Sequence, residues 1–480
     1  MGEVLHAPQS MPTAPPAFGP TPTYLWTSQA RHWRFSPRQL EKRRQEGNEG
    51  ARLRLADAWE RERAAEPVEG EPPSSSSSEP IQFLRVEDEV ALVTYYLTRV
   101  RGVIKAFDMP ELVEATAITY IKRFYLVNTC MDWHPKNVMI TCLFLAAKAE
   151  NCPISLANFA TKLAGKEPTQ KAIDEYVALV REHEFMVSQS LSFEYMVHGA
   201  HRALHGLFLD FQQTVCSGED LKDLLAPAQS NLRLSRLTDA ELIYTPSQIA
   251  MACVRAASDQ AKDLVGKFLD LKEKRATEAV LKGKAAREAW RQKEKEKQEK
   301  RQQQGASSTM KKQQAGSNAQ DAIEVDGEGK AKEEGKKEAP SAAAVELDDE
   351  EIRAKPLGAT RSEIEQVLDD IEGLFRAREA LDASEERTRA TEIDKRLKAC
   401  HNPEKTPGTR LHHLGLARVS SNAGVSKKRK LKKEEKDPFD DDDDDENLPA
   451  TFGPEGKKAK VEVLEGNLFK DDIERGKSAK

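Results

Sequence analysis

Two charged residues stand where charge is costly. In QKAIDEYVALVREHEF (170–185), Ile173, Val177 and Val180 fall on one line of a helix. Glu184 lies within about 20° of that line. A carboxylate in the middle of such a buried stripe needs a cation or an amide, because burying it unpaired costs several kcal/mol. Lys148 ends KNVMITCLFLAAK (136–148), a stretch apolar on every side. An ammonium there can complement a helix C-terminus, and Glu184 can equally belong to an internal salt bridge. No catalytic constellation accompanies them: there is no phosphate-cradling glycine loop, no HExxH and no nucleophile elbow. His412 and His413 lie in a polar tail without ligand partners, so neither a metal nor a cofactor is expected. The basic run Lys427, Lys428, Arg429, Lys430 reads as a nuclear address or as a solvated, disordered tail.

The elements that must position these residues occupy only part of the chain. Of 480 residues, 38% are hydrophobic and 32% charged, so much of the sequence cannot bury enough apolar surface to fold. A net charge of -6, from blocks of both signs that nearly cancel, gives no global case for nucleic-acid binding. The six cysteines form no CxxC pair, which fits a reducing compartment. The Pro/Ala/Thr-rich start lacks the apolar core of a signal peptide, and no apolar run is long enough to span a bilayer. A soluble intracellular chain is expected.

Apolar periodicity divides the chain further. Residues 1–27 read as a disordered leader and 28–68 as a helical segment carrying Trp33, Phe35, Leu40 and Trp59. EGEPPSSSSSEP (69–80) is a linker by composition. Within 81–198 five helices are expected. The first carries Leu92, Tyr96, Val100, Val103 and Phe107; the second carries Val113, Ala117, Tyr120 and Phe124. The third, 136–148, is apolar all round and must be the hub of a bundle. Ser155 caps a short fourth helix, and a fifth spans about 169–190. The architecture then restarts at 199–275 with helices at 201–215, about 219–243, 245–258 and 259–272, one short of five. Residues 276–360 read as a charged, disordered insertion, of which Glu273 to Gln304 could be a solvated helix. The missing fifth helix is expected within 361–383, opened by a Ser362/Glu365 capping box. A C-terminal helix at 384–402 and a disordered tail at 403–480 complete the reading.

Two five-helix bundles in tandem, each with a central apolar helix, resemble the cyclin fold. RHWRFS (31–36), YIKRFYLVN (120–128), MDWHPKNVMITCLFLAAK (131–148) and LTDAELIYTPSQIA (237–250) resemble the cyclin H family in order and spacing. YTPSQIA is the most discriminating piece. Mitotic cyclins usually carry an aspartate where Lys122 stands, and a hydrophobic docking motif that the first helix here lacks. The 276–355 insertion and the long leader inherit nothing from the resemblance.

The resemblance implies an all-α fold of two cyclin boxes with accessory helices at both ends, and a non-catalytic activator of a cyclin-dependent kinase. It implies that Lys148 and Glu184 hydrogen-bond backbone near the kinase's activating helix. It further implies a CDK-activating kinase as partner, with a RING-finger assembly subunit and general transcription factor IIH, and work in the nucleus on other cyclin-dependent kinases and the RNA polymerase II tail. Two alternatives remain at this stage. One is a transcriptional cyclin with another kinase partner. The other is a cyclin-fold nucleic-acid binder, against which stand Asp239, Glu241 and Asp259.

Overall fold

The computed structural model describes residues 23–65, 81–216, 221–314 and 357–415, and all regular structure among them is helical. In chain order, a 3-10 turn at Thr23–Trp26 precedes α1 (Ser28–His32), α2 (Pro37–Ala64), α3 (Val86–Phe107), α4 (Glu111–Phe124), α5 (Pro135–Ala149), α6 (Leu156–Ala164) and α7 (Gln170–Ser190). Then come α8 (Ala200–Thr214), α9 (Lys222–Ser235), α10 (Ala240–Ile243), α11 (Pro246–Arg255), α12 (Asp259–Gln314), α13 (Arg361–Glu379) and α14 (Ala383–Cys400). Side-chain caps explain many of the starts. Ser36 closes a capping box with Gln39, Thr245 closes one with Gln248, and Ser155, Thr169 and Asp382 each accept a backbone N–H.

The chain forms two compact units. One contains the described residues within 33–199, 234–243 and 376–415. Its core is built on α3, α4, α5 and α7, with Leu92, Val100, Tyr120, Phe124, Leu143 and Val187 buried. The hub expected at 136–148 is there, since Val138 to Ala147 are all buried on α5. An equally enclosed helix was not expected. Every side chain of α4 from Val113 to Phe124 is buried, Glu114, Lys122 and Arg123 included. Helix α2 lays Leu40, Ala51, Leu55 and Ala58 inward. On α14, Ala390, Ile393, Leu397 and Cys400 join the same core, so this last helix belongs with α3.

The second unit contains the described residues up to His32 and those within 200–233 and 244–375. Leu204, Phe211, Cys253, Val265 and Phe268 are buried in it, and the Phe211 and Phe268 rings meet edge to face at 4.8 Å. Leu368, Ile371 and Phe375 turn α13 inward. Arg255 of α11 pairs with both Asp369 and Glu372 of α13.

Three expectations are corrected. The box that opens α13 is Thr360/Glu363 rather than Ser362/Glu365, with reciprocal bonds of 2.7 and 3.2 Å. The helix expected to end near 272 runs on to Gln314, although no side chain from 271 to 300 is buried. Closely spaced opposite charges support that helix with little help from a core. The helix expected over 219–243 is broken into α9 and α10. The insertion's 315–356, the leader to residue 22 and the tail beyond 415 lie outside the described residues.

Candidate functional site

The position of Lys148 follows from its helix. His134 caps α5, its ring accepting the Lys136 N–H, and Pro135 fixes the first turn. The enclosed helix then delivers Lys148 at its last turn, where the protein surface begins. Helix α7 runs alongside and brings Glu184 opposite. Lys148 Nζ donates to Glu184 Oε1 at 2.6 Å, with side-chain exposures of 49% and 27%. The ammonium also lies 5.2 Å from the centre of the Phe144 ring.

The structure corrects the burial expected for Glu184. Of its supposed stripe only Val180 is buried, while Ile173, Val177 and Glu184 itself are half-buried. The carboxylate is therefore a surface-edge group with its partner in hand, rather than a buried charge in need of one. Beside it, apolar surface is left open. Phe185 is 68% exposed and Phe193 54% exposed, with ring centres 6.2 Å apart. Phe193 and Ser192 hold φ of 58° and 54°, a left-handed pair that turns the chain sharply after α7. An aromatic pair in water next to a half-exposed ion pair is the composition of an interface centre.

The other sequence motifs meet one another. Trp33 Nε1 donates to the Glu194 carboxylate at 2.5 Å, and the Arg123 guanidinium lies 5.1 Å from the Trp33 ring. Arg123 also donates to the Glu194 carbonyl at 3.2 Å. Lys122 Nζ, with 5% side-chain exposure, donates to the Thr238 carbonyl at 2.6 Å and lies 3.5 Å from Glu241. Arg44 grips Asp239 through two bonds of 2.7 Å. Burial alone would raise the Asp239 pKa, but Arg44 and Lys122 bring it below the usual carboxylate value. Arg236 reaches Glu111 at 2.8 Å and Glu114 at 3.8 Å. RHWRFS, YIKRF and LTDAELI thus clamp residues 234–243 and α2 onto α4. Sequence reading missed this network because its partners are far apart in the chain.

Where α2 covers α3, a cavity of ≈ 340 Å³ remains, lined by Arg43, Asn48, Glu89, Lys122 and Asn128 among others. Burial pushes Glu89 up to about 7, against hydrogen bonds from Thr129 and Asn48. His412 and His413 touch ring to ring, and no group of metal-ligating side chains exists among the described residues. No described helix is long and apolar enough to cross a membrane. Lys427, Lys428, Arg429 and Lys430 lie outside the described residues.

Comparison with known proteins agrees with this architecture. The sequence matches the cyclin N-terminal domain over residues 91–193 and the cyclin C-terminal domain over 199–320. It is 32% identical to cyclin-H of Xenopus laevis over 241 residues, which are 50% of this chain and 69% of that protein. The chain belongs to the cyclin H family. Cyclin CCL1 of Saccharomyces cerevisiae is 31% identical to this cyclin over 252 residues, 52% of this chain but only 61% of the yeast protein. A chain in the solved structure of the CAK complex of Chaetomium thermophilum bound to ATP-gamma-S has the same fold. Its TM-score is 0.53 at 21% identity, and the match covers 88% of this cyclin and 98% of that chain.

Proposed function

We propose that this cyclin binds and activates a cyclin-dependent kinase of the CDK-activating type, using Lys148 and Glu184 on the edge of α5 and α7. The carrying observation is the half-exposed ion pair flanked by the exposed Phe185 and Phe193. Family membership supports it, as does the fold shared with a chain of a CAK complex. The two charged groups are placed to hydrogen-bond backbone of the kinase's activating helix, and the aromatic pair to bury against it. A kinase is active when its β3 lysine pairs with the glutamate of its C-helix. A rigid helical surface that binds only this helix-in arrangement shifts the population toward it without contributing a catalytic group.

In this reading the complex includes a RING-finger assembly subunit and joins general transcription factor IIH. It acts in the nucleus on other cyclin-dependent kinases and on the RNA polymerase II tail, with Lys427 to Lys430 as the import signal. Direct nucleic-acid binding is disfavoured because residues 237–258, the segment that would have to be basic, carry one arginine and no lysine. The test is purification of the tagged full chain with identification of the co-purified kinase. Recovery of a CDK-activating kinase supports the reading; recovery of another transcriptional kinase, or of none, rejects it.

A further inference from the structure

The cavity between α2 and α3 has an apolar wall and a charged rim. On α3, Val86, Val90, Val93 and Leu97 share one helix face, and that face lines the ≈ 340 Å³ space. Val93 and Leu97 are buried, whereas Val86 and Val90 are half-buried. Gly47 and Gly50, both exposed, line it from α2. A methyl group at either glycine would meet nothing within 4 Å, so the opening along α2 is unobstructed. A volume above about 300 Å³ suffices for a small organic molecule.

Most of the charge around the cavity is neutralised inside the protein. Arg44 holds Asp239, Arg54 holds Asp132, and Lys122 lies 3.5 Å from Glu241. Glu46 lies 3.6 Å from Lys42. Glu89 is pushed up to about 7 by burial and accepts from Asn48 and Thr129. Arg43 differs. Its Nε donates to the Leu126 carbonyl at a long 3.4 Å, and no carboxylate among the described residues pairs with it. Burial lowers its pKa with no anion to raise it. The guanidinium lies 5.3 Å from the centre of the Phe35 ring, which steadies its plane. Its two terminal nitrogens have no protein acceptor among the described residues. Such a fork matches a carboxylate in geometry as well as charge. One uncompensated unit charge beside an apolar stripe selects a monoanion with an apolar body. A dianion would bring a second negative charge in among Asp132, Asp239 and Glu89.

We propose that this cavity binds a small apolar monocarboxylate, its carboxylate on Arg43 and its body along Val90, Val93 and Leu97. A molecule seated there touches both α2 and α3, so its binding ties the accessory helix α2 to the unit it covers. Lys148 and Glu184 line no part of the cavity, so the site stands apart from the proposed kinase contact.

Calorimetric titration of the full-length protein with octanoate, octanol and octylamine tests this, because the three probes share a chain and differ in charge. Octanoate should bind saturably at one site, about 10-fold or more tighter than octanol, as a charge-assisted hydrogen bond predicts. Octylamine should bind no better than octanol. Arg43→Gln should remove the preference for octanoate. Val90→Trp, which fills the cavity, should abolish binding of octanoate and octanol alike. A thermal melt reports whether that variant folds, and if it does not, Arg43→Gln decides. The proposal is overturned if octanoate fails to bind, if it binds no better than octanol or octylamine, or if its preference survives Arg43→Gln. Octanoate binding that persists in folded Val90→Trp protein would overturn it too.

Discussion

Lys148 and Glu184, 36 positions apart in sequence, neutralise each other across α5 and α7 at 2.6 Å. The free protein therefore holds its two proposed docking charges in register before a partner arrives. Preorganisation of this kind reduces the ordering cost of association. Both side chains are partly exposed, so the pair should contribute little to folding. Lys148→Ala should change thermal stability by no more than about 1 kcal/mol, the range of exposed ion pairs. A loss several times larger in a calorimetric melt would make the pair a structural clasp.

The contact of Lys122 with Thr238 and Glu241 is of the opposite kind, because the ammonium is buried. Lys122→Met should cost about 3 to 5 kcal/mol by leaving Glu241 without its cation. Combining it with Glu241→Met should recover most of that loss, since no unpaired charge then remains. Denaturant melts of the single and double variants check this. An additive double variant would contradict the clasp.

Helical stripes made most of this architecture legible in the sequence. Leu92, Val100, Val103 and Phe107 on α3, and Leu368 and Ile371 on α13, mark helices by spacing alone. The enclosure of α4 was not legible. Nothing in the spacing of Glu114, Lys122 and Arg123 marks them as buried, and what permits their burial is a set of partners in distant segments. Lys122 bonds a carbonyl 116 residues away and Arg123 one 71 residues away. The candidate site was legible only in part. Residue types and family spacing singled out Lys148 and Glu184, but periodicity overstated the burial of Glu184. A stripe gives direction around a helix and not depth, and α7 packs only one edge of that stripe.

Glu89 makes stability depend on pH. Its pKa is raised from 4.5 to about 7 by burial. Between those values the folded protein holds a proton that the unfolded chain releases, so stability falls as pH rises through this window. The loss is complete above about pH 7 and amounts to about 3 kcal/mol. Glu89→Gln should flatten the dependence between pH 5 and 8 and stabilise the protein at the upper end. Parallel pH-stability curves for the two proteins would contradict the assignment.

Helix α13 should be indispensable and the charged extension of α12 dispensable. Leu368 and Ile371 are buried, whereas no side chain from 271 to 300 is. Leu368→Asp with Ile371→Asp places two charges in an apolar core and should unfold the unit containing α11 and α13. Replacing 280–355 by a short Gly/Ser linker should leave the melting temperature within a few degrees, since loop closure depends only weakly on length. Tolerance of the aspartates together with collapse on linker replacement would remove α13 from that unit.

The most direct test of the account exchanges the two docking charges, Lys148→Glu with Glu184→Lys. The exchange preserves an ion pair between α5 and α7 and so separates docking from folding. Binding of the co-purified kinase should weaken by about 100-fold or more, close to 3 kcal/mol, with activation lost in proportion, while the free protein's stability falls by no more than about 1 kcal/mol from the anion now at the α5 C-terminus. Kinase affinity and activation equal to those of the wild type would contradict the assignment of Lys148 and Glu184 as the kinase contact.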